Sequence, residues 1–442
     1  MLRLSRLCYQ CGECTAACPL RRVSRFSPRR ILYDLAAANA DVLKTDEDDE
    51  KDLWNCLVCE NCYIVCPQEV DFPALVLKLR SEEGGAAAGA AASAAVSAAA
   101  SAVARKESLA HREFSEIASF MTCFEKGVPT DFGVGGETDE ESEYGYFPGC
   151  LDYFDLFFDL GVNYHEIGDC TVRLLNAVGI KPRILSLKCC GHDALFQGNR
   201  KVFEKLAAYN TRKIKESGIK KLVVSCAEGF LTFKKYYELA ASGGAEGAEG
   251  AEGVEEVEGV EEVEGVREVE RVEVLHISEL LSERGEKLNF KAGKEGSRTV
   301  TVAYHDPCAF KRFGLYEAPR EALKKAGAGV KLVELTHAKE NAVCCGVSGM
   351  MNCNDRSKAL RAFRLDEARA KKVDVLVTTC PKCLSHFSCL KRETERERGG
   401  KEREKGGRER GGEKEREEGR EGGGEYDFEV LDLSVFLGRL LK

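Results

Sequence analysis

The sequence predicts an α/β fold, present twice, behind a small α-helical domain crowded with cysteine. Three observations carry that expectation. Eight cysteines fall within residues 1–80, a set of landmarks recurs at offsets between 154 and 158 residues, and helix-like and strand-like segments alternate between those landmarks. Composition divides the 442 residues into a cysteine-dense stretch 1–80, an Ala-rich and then polar connector 81–143, and two similar stretches, 144–281 and 299–442.

The first stretch is explained by the spacing of its thiols. Cys8-x2-Cys11-x2-Cys14-x3-Cys18-Pro19 is followed by Cys56-x2-Cys59-x2-Cys62-x3-Cys66-Pro67. This is the bacterial ferredoxin run, written twice. Three thiolates two residues apart can wrap one face of an iron–sulfur cubane, and the fourth, stopped by proline, points away to the other cluster. One [4Fe–4S] cluster should therefore use Cys8, Cys11, Cys14 and Cys66, and the other Cys56, Cys59, Cys62 and Cys18. Paired CxxC motifs also bind zinc, but two complete runs closed by proline favour cubanes. The span between the runs, including Ser27–Ala40, reads as helix.

The second observation is the repeat. Cys150 matches Cys308, Cys189-Cys190-Gly191 matches Cys344-Cys345-Gly346, Cys226 matches Cys380, and Val274–Ser278 matches Val430–Ser434. Near-constant offsets over four landmarks indicate duplication. The third observation lies within each copy. Lys221–Cys226 and Val373–Cys380 read as short buried strands ending at cysteine, preceded by helices over about 200–216 and 357–371. Such alternation implies parallel sheets, whose ligands gather at the carboxyl ends of the strands, where Cys226 and Cys380 fall. Low-complexity inserts, 243–271 and 391–425, sit at matching places before the last strand of each copy. They carry too little apolar surface to offset the entropy of ordering.

Composition narrows the function. There are 21 cysteines, in tight groups that suit metal rather than scattered disulfides. The N-terminus reaches Cys8 at once, leaving no room for an apolar leader core, so a reducing, cytoplasmic setting is expected. No apolar run reaches the roughly 18 residues of a spanning helix, so membrane contact would pass through a partner. A net charge of −9 argues against nucleic acid. No nucleotide-binding glycine motif is present.

The pattern Cys308, Cys344-Cys345-Gly346, Cys380-x2-Cys383, with 35 and 34 residues in the two gaps, resembles the cysteine-rich CCG domain of heterodisulfide reductase. Twin ferredoxin runs followed by two CCG units look like the D subunit of that enzyme. The layout is shared with iron–sulfur subunits of lactate, glycolate and glycerol-3-phosphate dehydrogenases. The resemblance implies a noncubane [4Fe–4S] cluster on Cys308, Cys344, Cys345, Cys380 and Cys383, at which a disulfide of the coenzyme B–coenzyme M type is reduced. It also implies a membrane b-type cytochrome or a flavoprotein as electron partner. The first copy departs from the pattern. It has Cys150, Cys189, Cys190 and Cys226, but Gly229 stands where the fifth cysteine belongs, leaving an iron–sulfur group or zinc as alternatives.

Other readings stay open at this stage. A thiol–disulfide exchange pair at Cys380 and Cys383 would leave Cys308, Cys344 and Cys345 without a task. His305 and His192 are candidates for proton donation, against the plainer expectation of hydrogen bonding or capping. Cys123, Cys170, Cys353 and Cys389 fall outside the groups and are expected to be small apolar residues, with Cys353 the main exception. Trp54 is expected to pack. Two rival functions are an iron–sulfur relay for a flavin-dependent hydroxyacid dehydrogenase and a non-catalytic, zinc-containing scaffold.

Overall fold

The computed structural model describes residues 7–36, 53–85, 113–123, 135–237, 272–290, 298–327, 329–347, 353–390, 392–393 and 426–442. The insert 243–271, all but two residues of 391–425, and residues 86–112 of the connector lie outside them.

Two four-stranded sheets form the body. The first contains β1 (Tyr144–Phe147), β2 (Arg183–Ile184), β3 (Lys221–Val224) and β4 (Glu273–His276), in the order β2-β1-β3-β4. The second contains β5 (Val300–Tyr304), β6 (Val330–Val333), β7 (Val375–Thr378) and β8 (Glu429–Asp432), in the order β6-β5-β7-β8. Every pairing is parallel. All four residues of β1 and of β7 are buried, as expected where helices cover both faces of a parallel sheet. The chain is thus an α/β duplication behind a helical domain.

The predicted helices are present as Arg200–Ser217 and Asp355–Ala370. The predicted strands stop two residues early, at Val224 and Thr378. Cys226 is extended and immediately precedes the helix Ala227–Lys235. The backbone has left the sheet there, and the thiol stands at the turn above the strand end.

Duplication extends to buried side chains. Tyr146 Oη lies 3.0 Å from Ser225 Oγ, and Tyr304 Oη lies 2.8 Å from Thr379 Oγ1. Each pair braces the residue just before a strand-end cysteine. Each unit also docks its last helix on the other. Leu433–Leu440 packs on His165–Ala177, and Ile277–Arg284 packs on Glu317–Lys324. Contacts exchanged in this way have the self-complementary form of a two-fold interface. Gly438 permits the first of them, because a Cβ there would sit 2.5 Å from Cys170 Sγ. That gives Cys170 a packing role.

The N-terminal domain has helices Glu13–Ala16, Pro28–Ala36, Asn61–Ile64 and Phe72–Gly85. It is fastened to both units. Fully buried Arg80 donates to the carbonyls of Leu53 (2.7 Å), Cys56 (2.8 Å) and Phe196 (2.9 Å). Its guanidinium lies 5.1 Å from the Trp54 ring, so Trp54 packs as expected. The Glu60 carboxylate, 0% exposed, accepts from Lys235 Nζ of the first unit at 3.0 Å and Arg312 Nη2 of the second at 2.6 Å. Removing one partner of such a buried pair costs about 3–5 kcal/mol.

Candidate metal centres

The two ferredoxin runs adopt the same unusual backbone. Gln10 and Val58 have φ of 65° and 49°, and Gly12 and Glu60 have φ of 93° and 66°. Left-handed geometry is costly for a β-branched residue such as Val58, and strain of this kind, about 1–3 kcal/mol per residue, gathers at functional loops. Here it turns donors toward sulfur: Val58 N lies 3.4 Å from Cys56 Sγ, and Gln10 Nε2 lies 3.4 Å from Cys8 Sγ.

The thiols fall into two sets. Cys14 lies within electrostatic reach of Cys8, Cys11 and Cys66. Cys62 lies within reach of Cys56, Cys59 and Cys18. The sets are therefore interleaved, each taking its fourth member from the other run. Burial, followed by the neighbouring Cys56, pushes the Cys18 thiol up to about 12. Burial and the neighbouring sulfurs likewise push Cys59 and Cys62 well above the ordinary thiol range. Thiols crowded like this resist ionisation unless a cationic centre is shared among them, so the donor sets fit clusters. Cys11 is exposed, while Cys56, Cys59 and Cys62 are buried. Cys59 also lies within electrostatic reach of Cys308. The first set therefore faces solvent, and the second faces the β5–β8 unit.

In that unit five thiols converge. Cys308 and Cys344 Sγ are 3.9 Å apart, and Cys345 and Cys383 Sγ are 3.2 Å apart. Cys383 N lies 3.5 Å from Cys380 Sγ. Gly346 has φ of +93°, and a Cβ there would lie 2.7 Å from the Ser357 carbonyl oxygen. Only glycine lets the chain fold tightly enough for Cys344 and Cys345 to share one site. Hydrogen bonds shape the charge of the set. Burial opposes ionisation of Cys345, but Cys344, Cys383, His305 and His386 together hold its thiol well below the ordinary range. Cys344 and Cys383 are held well above it, chiefly by hydrogen bonding with Cys308 and Cys345 respectively.

Histidine and arginine complete this site. Buried Arg364 Nε donates to His305 Nδ1 at 3.2 Å. Since arginine stays protonated, His305 carries its proton on Nε2. That atom, with Arg364 Nη2 and His386 Nδ1, is buried with no hydrogen-bond partner among nitrogen and oxygen atoms. Buried imidazole and guanidinium nitrogens with no oxygen or nitrogen partner beside a thiol set match an anionic group, and five thiols with these neighbours fit a sulfur-ligated cluster. Burial, the first effect at His305, lowers its pKa.

The first unit gathers Cys150, Cys189, Cys190 and Cys226, which are mutual electrostatic neighbours. Gly191 N lies 3.4 Å from Cys189 Sγ, as Gly346 N lies 3.4 Å from Cys344 Sγ. Gly229 leaves space, since a Cβ there would be 3.7 Å from Cys226 Cβ. The site is otherwise different in kind. Lys382, between Cys380 and Cys383, reaches across from the second unit. Its buried ammonium bonds Asp193 and Glu228 and lies 3.2 Å from His192 Nδ1. His192, Asp193 and Glu228 are disposed as cation ligands, and the ammonium fills that role. Burial is outweighed by Lys382 and His192, which hold the Asp193 carboxyl down at about 2. The two sites also approach each other directly: Ala227 N donates to the Thr379 carbonyl at 3.0 Å.

Sequence reading missed Lys382, Arg364 and Lys311 because each reads as a surface charge. Only the position of Lys382 inside Cys380-x2-Cys383 could have drawn attention to it. Cys123 is exposed, and Cys353 and Cys389 are half-buried within electrostatic reach of each other. No disulfide joins any of the 21 cysteines. No described helix is long and apolar enough to cross a membrane.

Comparison with known proteins matches these elements. Residues 5–70 match the 4Fe-4S dicluster domain, and residues 144–234 and 302–388 each match the cysteine-rich domain CCG. The chain is 26% identical to an EtfAB:quinone oxidoreductase of Syntrophomonas wolfei over 79% of its own length and 45% of that protein. It therefore spans less than half of that relative. It is 26% identical to an uncharacterized iron–sulfur protein of Methanocaldococcus jannaschii, covering 90% of this chain and 70% of the other. It is 25% identical to the D subunit of the dihydromethanophenazine:CoB–CoM heterodisulfide reductase of Methanosarcina barkeri, covering 86% and 88% respectively.

Proposed function

For an iron–sulfur electron-transfer protein that joins a 4Fe-4S dicluster domain to two cysteine-rich CCG domains, and that is similar to the D subunit of heterodisulfide reductase, we propose disulfide reduction at the second CCG unit. Cys8, Cys11, Cys14 and Cys66 would hold one [4Fe–4S] cubane, and Cys18, Cys56, Cys59 and Cys62 the other. Cys308, Cys344, Cys345, Cys380 and Cys383 would hold a noncubane [4Fe–4S] group. Bound clusters supply one-electron transfer. The first unit's four thiols would hold an iron–sulfur group or zinc.

The exposed edge at Cys11 suits a partner that delivers electrons, a b-type cytochrome or a flavoprotein. Arg80, Glu60, Lys235 and Arg312 hold the dicluster domain against both units. A disulfide takes up two electrons and two protons to give two thiols. Cys345, whose thiol Cys344, Cys383, His305 and His386 hold below the ordinary range, and His305, with its Nε2 proton, stand where the sulfur chemistry would occur. The observation that carries the reading is the convergence of these five thiols, with Cys59 close to Cys308.

The test is electron paramagnetic resonance on anaerobically purified protein with and without a small thiol substrate. A substrate-dependent signal is expected, and Cys345→Ser should abolish it while leaving the cubane signals. A spectrum indifferent to thiols would replace this reading with a second one, an iron–sulfur relay between a flavoprotein and an acceptor. Similarity to the EtfAB:quinone oxidoreductase favours that alternative.

A further inference from the structure

The short 3-10 segment Cys308–Phe313 connects the second site to the dicluster domain, packing on the helix Asn61–Ile64. Two adjacent cations leave it in different directions. Arg312 turns outward, bonding Glu60 and Asp71 (2.8 Å) and lying 3.9 Å from the Tyr63 ring centroid. Its job is docking. Lys311 turns inward and is only 3% exposed. Its Nζ donates to two main-chain carbonyls, Glu340 at 2.9 Å and Ala342 at 2.6 Å.

Neither contact is with a carboxylate. A buried ammonium held only by carbonyls is expensive, so its charge must be met from elsewhere. The groups within its electrostatic reach are Cys59 of the buried ferredoxin set, then Cys308 and Cys344 of the second unit, whose thiolates would be anionic as cluster ligands, and Asp306. Arg312, its neighbour, is already committed to Glu60 and Asp71. Ala342 is two residues before Cys344, so the same contact fixes the approach to the Cys344-Cys345 pair. The equivalent residue of the first unit, three past Cys150, is Tyr153. It is half-buried and carries no positive charge.

We propose that Lys311 is a positioning charge for the step between the buried ferredoxin set and the second CCG unit, within reach of the ligands of both and stabilising the reduced state of both. The inference rests on the cluster assignment proposed above. A fixed positive charge near two groups that each gain an electron favours the reduced form of each. Both reduction potentials therefore lie higher with Lys311 than without it, and a shift common to both leaves the gap between them unchanged.

The experiment is an anaerobic redox titration followed by paramagnetic resonance on the full chain, for wild type, Lys311→Met and Lys311→Arg. Lys311→Met should shift the potentials of the buried cubane and of the second-unit group downward together. The exposed cubane on Cys8, Cys11, Cys14 and Cys66 should not move, and Lys311→Arg should stay close to wild type. Unchanged potentials in iron-replete Lys311→Met, a shift confined to one centre, or a Lys311→Arg that behaves like Lys311→Met would overturn the proposal. Should Lys311→Met lose iron, Lys311→Gln, which keeps a donor for the Ala342 carbonyl, is titrated in its place and judged by the same shifts. Loss of iron from both neutral variants with retention in Lys311→Arg supports the charge role, and loss from all three contradicts it. A wild-type protein with no second-unit signal at all would instead defeat the cluster assignment, and is seen before any variant is compared.

Discussion

The two cysteine-rich units share a sheet order, a buried tyrosine pair, a left-handed glycine after paired cysteines, and a capped final helix. They differ where the chemistry would be. Cys383 corresponds to Gly229, Lys382 to Glu228, and Lys311 to Tyr153. The second unit has five thiols, with His305, Arg364 and Lys311 within electrostatic reach of them. The first has four, and an ammonium from its twin lies among its carboxylates. Duplication preserved the frame of both sites, while the exchange of a few residues left five thiols in one and, beside the four thiols of the other, a carboxylate pair bridged by a lysine. Lys382 shows how they depend on each other: the residue between two thiols of one site is neutralised inside the other.

The largest effect should come from breaking that cross-link. Lys382→Met leaves Asp193 and Glu228 buried without their cation, and should cost about 3–5 kcal/mol. Glu228→Gln leaves Asp193 to hold the ammonium and should cost less, about 1–3 kcal/mol. Urea unfolding of both variants measures the difference, and equal losses would mean the two units are not coupled through this lysine.

A subtler contrast lies in the matching caps of the final helices. His276 Nδ1 accepts from Ser278 N at 3.1 Å, and Asp432 Oδ1 accepts from Ser434 N at 2.7 Å. Burial acts oppositely on the two. It raises Asp432 from 3.8 to about 7 and lowers His276 from 6.5 to about 3. The fold binds the Asp432 proton more tightly than the unfolded chain does. That contribution is whole below about pH 4 and is lost as pH rises through about 7. The fold binds the His276 proton less tightly, so its contribution is whole above about pH 6.5 and is lost as pH falls through about 3. Each limb has a slope of at most about 1.4 kcal/mol per pH unit. Melting temperature against pH should show Asp432→Asn flattening the loss between pH 4 and 7, and His276→Asn flattening the loss below pH 6.5. A wild-type profile in both variants would contradict the assignment.

The sequence revealed what repeats and what must be close in the chain. Cysteine spacing, paired glycines and the strand before each single cysteine all follow short-range rules, so the parallel sheets and thiol groups were readable. What joins distant segments was not. Lys382 and Asp193, Arg364 and His305, and Glu60 and Arg312 are separated by 189, 59 and 252 residues. In a chain that is 31% charged, nothing marks such residues as buried. The reciprocal docking of the final helices was equally hidden, because an amphipathic helix does not declare which copy it will cover.

The central claim is that the second unit holds an iron–sulfur group on its five thiols, in addition to the two in the dicluster domain. Iron analysis of anaerobically purified protein, paired with the Cys308→Ser, Cys345→Ser double variant, tests it most directly. About twelve irons or more per chain are expected in the wild type, and about four fewer in the variant with both cubane signals intact. About eight irons in each would contradict the claim.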